Sequence, residues 1–140
     1  MSTCVLMIED DREMVILGKL ILEREGYEFI AAYDGKSGLE TLNTHRDKVD
    51  LVLLDIMLPK MYGWEVLKQI KAAAEMNHIP VVMLTARHYL EDEVETSQYA
   101  DLYSAYVVKP FVVRELLDTI AEVLGSGKAD DDRDDQPEPG

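Results

Sequence analysis

Short, nearly continuous apolar runs alternate along this chain with stretches in which apolar residues return every three or four positions. The runs cover residues 4–8, 29–32, 49–54, 81–84 and 106–108. Because they are continuous and do not alternate with polar residues, they read as strands covered on both faces. Between them, Met14, Leu17, Gly18 and Ile21 predict a first helix that stops near Gly26. Leu39 and Leu42 mark a short second helix after the turn at Asp34-Gly35, and Val66, Leu67, Ile70 and Ala74 give a third its inward stripe. Residues 90–98 offer only Leu90 and Val94 as the apolar face of a fourth, whereas Val113, Leu116, Leu117, Ile120 and Leu124 form the clearest stripe of all. Pro80 opens the fourth strand, a position that tolerates the missing amide donor. Five strands and five helices in strict alternation, joined by right-handed crossovers, predict an α/β fold: a three-layer αβα sandwich around a parallel sheet.

Composition narrows what such a domain can do. At 140 residues the chain is long enough for one core without disulfides or a structural metal. The periodic patterning fills residues 1–125, while 126–140 carry Asp-Asp-Asp-Arg-Asp-Asp and two prolines with nothing to bury, and read as a disordered acidic tail. A formal charge of −14 repels phosphate backbones and anionic lipid, so no direct binding to nucleic acid or membrane is expected. No run approaches the ~18 apolar residues of a membrane span, and no basic segment leads into a long apolar stretch at the amino terminus. The single cysteine, Cys4, falls inside the first strand as a small hydrophobe. A cytoplasmic protein is expected.

Four of the predicted strands end on residues that handle a phosphoryl group or its metal: Glu9-Asp10, Asp55, Thr85 and Lys109. In open parallel sheets the carboxyl ends of the strands share one edge, where ligands bind. Three carboxylates together there would repel and raise one another's pKa unless a divalent cation intervened. A hard, all-oxygen site favours Mg2+ over Zn2+. Asp55 is the natural nucleophile, since aspartyl carboxylates form acyl phosphates. Glu9 and Asp10 would hold the metal, the Lys109 ammonium would meet the equatorial oxygens, and the Thr85 hydroxyl would donate to one of them, with Ala86 leaving room. Drawing Thr85 towards a phosphate would vacate space into which Tyr106, on the adjacent strand, could turn. His45, His78 and His88 have no metal-ligand spacing, and Trp64 reads as packing at the start of the third helix.

Residues 4–124 resemble the receiver domain of bacterial two-component response regulators. The matching pieces are Val5-Leu6-Met7-Ile8-Glu9-Asp10-Asp11, Leu53-Leu54-Asp55-Ile56-Met57-Leu58-Pro59, Val82-Met83-Leu84-Thr85-Ala86 and Tyr106-Val107-Val108-Lys109-Pro110-Phe111. The resemblance implies a flavodoxin-like sandwich with strand order 2-1-3-4-5. It implies Asp55 as phosphoacceptor, Glu9, Asp10 and Asp55 as metal ligands with the backbone carbonyl of Met57, and Lys109 as phosphate partner. Thr85 and Tyr106 match the family's switch pair, and Lys109-Pro110 is expected to be cis. The phosphoryl donor would be the phosphohistidine of a sensor histidine kinase or phosphotransfer protein. The signal would leave through a protein target on the helix four, strand five and helix five surface, from a stand-alone switch that is a monomer or weak dimer. Such a domain is no enzyme beyond its own phosphorylation and dephosphorylation.

The chain departs from the family in places. After Pro59 stands Lys60-Met61-Tyr62-Gly63, where Gly-x-Asp-Gly is common, which adds a cation and a phenol beside the pocket. Before Tyr106, Leu102-Tyr103-Ser104-Ala105 replaces Gly-Ala-Asp-Asp, so the salt-bridged dimer of many DNA-binding relatives is not expected. Met57 and Arg87 occupy positions that tune the lifetime of the phosphate in the family. Two competing functions are an adaptor that is never phosphorylated and a phosphatase with an aspartyl nucleophile. The latter wants a second Asp as general acid, where Met57 stands.

Overall fold

The computed structural model describes residues 2–86 and 98–132, with 126–132 as backbone alone. Five parallel strands, β1 (Cys4–Ile8), β2 (Glu28–Ala32), β3 (Val49–Asp55), β4 (Val81–Ala86) and β5 (Ala105–Lys109), form one sheet in the order β2-β1-β3-β4-β5. Four helices are described: α1 (Arg12–Arg24), α2 (Gly35–Thr44), α3 (Gly63–Ala72) and α4 (Val113–Asp132). The sequence predicts five. The remaining one, over residues 90–98, lies outside the described residues except for Gln98. The architecture is the expected flavodoxin-like sandwich, and the Lys109-Pro110 bond is cis.

Successive strand residues point to opposite faces, and here both faces are covered. Leu6, Ile8, Leu54 and Met83 pack with Leu42 of α2 and Leu67 and Ile70 of α3. Val5, Met7, Leu53 and Leu84 pack on the other side with Val15 and Leu22 of α1 and Leu116 and Ile120 of α4. β1 buries every residue, and β3 and β4 bury all but Asp50 and Ala86, which is why their apolar runs are nearly continuous. α1 and α2 start where side chains accept from otherwise unpaired amides. Asp11 Oδ1 accepts from the Glu13 and Met14 amides at 3.0 and 3.3 Å, and Asp34 Oδ1 accepts from the Ser37 amide at 2.8 Å.

Three helical stripes differ from the prediction. In α1 the buried face is Val15, Gly18, Ile21 and Leu22, while Leu17 points outward, 36% exposed. Gly18 decides the phase: a Cβ there would come within 2.9 Å of the Met7 sulfur, so the helix is closest to the sheet at that point, and Leu17 is turned ~100° away. In α3 the helix ends at Ala72, so Ala74 is not part of its stripe; the Lys71 ammonium donates to the carbonyls of Asn77 and Ile79 at 3.1 and 2.7 Å, closing the turn after it. In α4, Leu116 and Ile120 are buried, but Val113 is half exposed. The backbone of α4 continues to Asp132, beyond the Gly125 boundary at which the acidic tail was expected to begin.

Candidate functional site

Strand register brings the expected residues to one edge. Ile8 pairs with Leu54, Asp55 with Leu84, and Thr85 and Ala86 with Val108 and Lys109, so each strand delivers its polar end at the same level. Among the described residues, Glu9, Asp55 and Thr85 are the buried polar side chains. A core that buries so few polar groups and gathers them at the carboxyl edge of its sheet has a site there.

Lys109 ties the edge together. Its ammonium donates to Glu9 Oε1 at 2.9 Å and to Asp55 Oδ1 at 3.2 Å. The second Glu9 oxygen accepts from the Asp11 amide at 3.1 Å, and Asp55 Oδ1 also accepts from the Met57 amide at 3.2 Å. Both hydrogen bonds to Asp55 therefore fall on Oδ1, and Oδ2 meets no donor among the described residues. Glu9, Asp10 and Asp55 each present an oxygen within 4.8 Å of the others, with Asp10 exposed at the mouth.

Three carboxylates against one ammonium leave the pocket negative, and burial magnifies the imbalance. The Glu9 carboxyl is pushed up to about 7, first by desolvation and then by the charge of Asp55, with Lys109 pulling the other way. Burial alone would lower the Lys109 ammonium, but its bonds to Glu9 and Asp55 outweigh that, and its pKa is raised. Hard oxygen donors with uncompensated charge fit a divalent cation such as Mg2+.

The other expected residues stand nearby in different attitudes. The Thr85 hydroxyl is buried and donates to the Ala86 carbonyl at 3.2 Å, not to Asp55. Tyr106 lies beside β4 with its side chain outward, 48% exposed, and the Met57 side chain is 50% exposed while its amide faces Asp55. Arg87 and His88 lie outside the described residues. Lys60 takes a left-handed backbone, φ 70°, in the loop between Asp55 and α3.

One residue of the site escaped the sequence reading. Gly63 begins α3 so close to the strand end that a Cβ would collide with the Asp55 carbonyl oxygen and approach Ile56 Cα to 2.8 Å, while its amide donates to the Ile56 carbonyl at 2.8 Å. Gly63 thus fixes the backbone that carries Asp55. Its signal was faint: a lone glycine before a helix reads as a turn.

The response regulator receiver domain family matches residues 5–121. The chain belongs to that family. A relative 39% identical over 120 residues is the transcriptional regulatory protein CpxR of Escherichia coli K12, the match covering 86% of this chain and 48% of CpxR. The sensory transduction protein RegX3 of Mycolicibacterium smegmatis is 38% identical over 130 residues, 93% of this chain and 54% of RegX3. The chain therefore spans about half the length of the curated relatives it matches. Among solved structures, a CheY-like response regulator receiver domain protein from Methanospirillum hungatei JF-1 superposes with a TM-score of 0.79 at 30% identity, over 93% of this chain and 99% of that one. As a receiver domain the chain is of the kind that switches with phosphorylation in two-component signalling and meets histidine kinases or phosphotransfer proteins. Among the described residues, no helix is long and apolar enough to cross a membrane.

Proposed function

We propose that this receiver domain takes a phosphoryl group onto Asp55 from the phosphohistidine of a sensor histidine kinase or phosphotransfer protein. The observation that carries the proposal is the Lys109 ammonium bridging Glu9 and Asp55 at the mouth of a buried, net negative pocket. An Asp55 carboxylate oxygen attacks phosphorus in line, the phosphorus–nitrogen bond breaks, and its electron pair stays on the imidazole. Oδ2, which meets no donor among the described residues, is suited to that attack, whereas Oδ1 is held by Lys109 and the Met57 amide. Lys109 is near enough to follow the new phosphoryl oxygens as it leaves the carboxylate. Glu9, Asp10, Asp55 and the Met57 carbonyl would hold Mg2+, which supplies positive charge against the developing negative charge.

The Thr85 hydroxyl, now on the Ala86 carbonyl, needs only to exchange one acceptor for another to reach a phosphoryl oxygen. Tyr106 would then turn inward and change the surface around β5, α4 and the segment 90–98 expected as a further helix, where a protein target would bind. A formal charge of −14 favours a protein over nucleic acid as that partner. The buried, unpaired Cys4 fits the cytoplasm as compartment.

The adaptor reading has nothing to account for an intact set of carboxylates around a bridging ammonium. A phosphatase needs a general acid where Met57 presents a thioether. Incubation with a small phosphodonor and Mg2+ should add one phosphoryl group to the parent, as read by intact mass, and none to Asp55→Asn or to the parent with chelator. An unmodified parent would refute the proposal. Sustained release of phosphate from unrelated phosphomonoesters would move it to the phosphatase.

A further inference from the structure

Aromatic rings run from the back of the acidic pocket to the exposed face of β5. Trp64, the chain's single tryptophan, is 2% exposed and stacks on Tyr99 with ring centroids 4.8 Å apart and planes 16° from parallel. Tyr103 lies 5.9 Å from Trp64 at 42° and meets Tyr106 edge-on at 6.5 Å and 65°. Tyr99 and Tyr103 are partly buried against the core beneath α2 and α3, whereas Tyr106 is 48% exposed.

The two ends of this train differ in freedom. Trp64 follows Gly63, which is pressed onto the Asp55–Ile56 backbone and cannot shift without moving the strand end. Tyr106 is the one ring of the four with half its surface in solvent. Tyr103 stands between them, backed by a fixed ring and touching a movable one. Edge-to-face geometry at this separation is attractive, because the positive ring edge meets the negative face. Turning Tyr106 inward must forfeit that contact, and Tyr103 therefore favours the outward setting. Tyr103 also stands where the family's common Gly-Ala-Asp-Asp segment has alanine, so the brake belongs to this chain and not to its family.

We propose that Tyr103, backed by Trp64 and Tyr99, is a positioning residue that holds Tyr106 outward and so lowers the population of the switched state before phosphorylation. The inference rests on the reading of Tyr106 as the moving member of the switch pair. A ligand that needs the switched state binds more weakly in proportion to how rarely that state occurs, so loosening the brake tightens binding.

The test uses the full chain with Mg2+ and beryllofluoride, a phosphoryl mimic, with binding followed by 19F NMR. Tyr103→Phe keeps the ring and should bind as the parent does. Tyr103→Leu and Tyr103→Met keep apolar bulk without the ring edge, and whichever folds better should bind roughly 2- to 12-fold more tightly, the ratio one aromatic pair carries. In a Tyr106→Ala background the same changes should have no effect, which separates positioning from a general loss of packing. Unchanged or weaker binding by the Leu and Met variants would overturn the brake, as would a gain that persists without Tyr106. A parent that binds no beryllofluoride would instead overturn the phosphoacceptor reading, and the brake with it.

Discussion

At the scale of single residues, the site is defined by how one ammonium and three carboxylates share a buried edge. Glu9 is the residue most altered by that company. Its folded pKa of about 7 lies above the ordinary 4.5, so the metal-free fold binds more protons than the unfolded chain between those values. The stability it contributes is present in full below pH 4.5 and is lost as pH rises through about 7. Thermal melts in chelator should therefore fall across that window in the parent, and the slope should flatten in Glu9→Gln; equal slopes would show that Glu9 does not titrate there. Gly63 is the second decisive residue. Gly63→Ala forces a Cβ into the Asp55 carbonyl, backbone that no rotamer can relieve, and should cost about 3 kcal/mol in chemical denaturation. The acids that meet at this edge were legible because each ends an apolar run. Gly63 and the local bond of Thr85 to Ala86 were not, because close approach of two backbone segments and the direction of a hydroxyl leave no periodic trace.

At the scale of elements, the short apolar runs marked the strands, because the central ones are covered on both faces and are too short for helices. Helix phase was harder. In α1, Ile16, Leu17 and Leu20 are apolar yet 67%, 36% and 57% exposed, so the stripe is blurred by residues that do not face the sheet. The face is set instead by Gly18 against Met7, a contact between residues distant in sequence. This assigns different weights to neighbouring leucines of similar appearance. Leu22→Ala, fully buried, should cost about 2–5 kcal/mol, and Leu17→Ala less than about 1 kcal/mol, by denaturant titration. Comparable losses at the two positions would contradict the phase seen here. The apolar pair in residues 90–98 was too sparse to fix an element by pattern, and the aromatic train through Trp64, Tyr99 and Tyr103 joins segments whose contact no local pattern encodes.

At the scale of the whole molecule, two apolar layers clasp one sheet, and its polar groups are gathered at a single edge of a chain with formal charge −14. A divalent cation held there would relieve repulsion inside the pocket and add binding energy to folding. Mg2+ at a hundredfold excess over its dissociation constant should stabilise the domain by about 2.7 kcal/mol. Sodium chloride at matched ionic strength should give only a small part of the rise in Tm, and Asp10→Asn should lose the Mg2+-specific part. Equal gains from both salts would reduce the effect to screening.

Phosphoryl transfer to Asp55 at that edge is the central proposed step, and its direct measurement is chemical localisation of the phosphoryl group. Treatment with a small phosphodonor and Mg2+, borohydride reduction of the acyl phosphate and peptide mapping should find homoserine at position 55. Homoserine at another aspartate, or none under conditions where a known receiver domain is labelled, would contradict it.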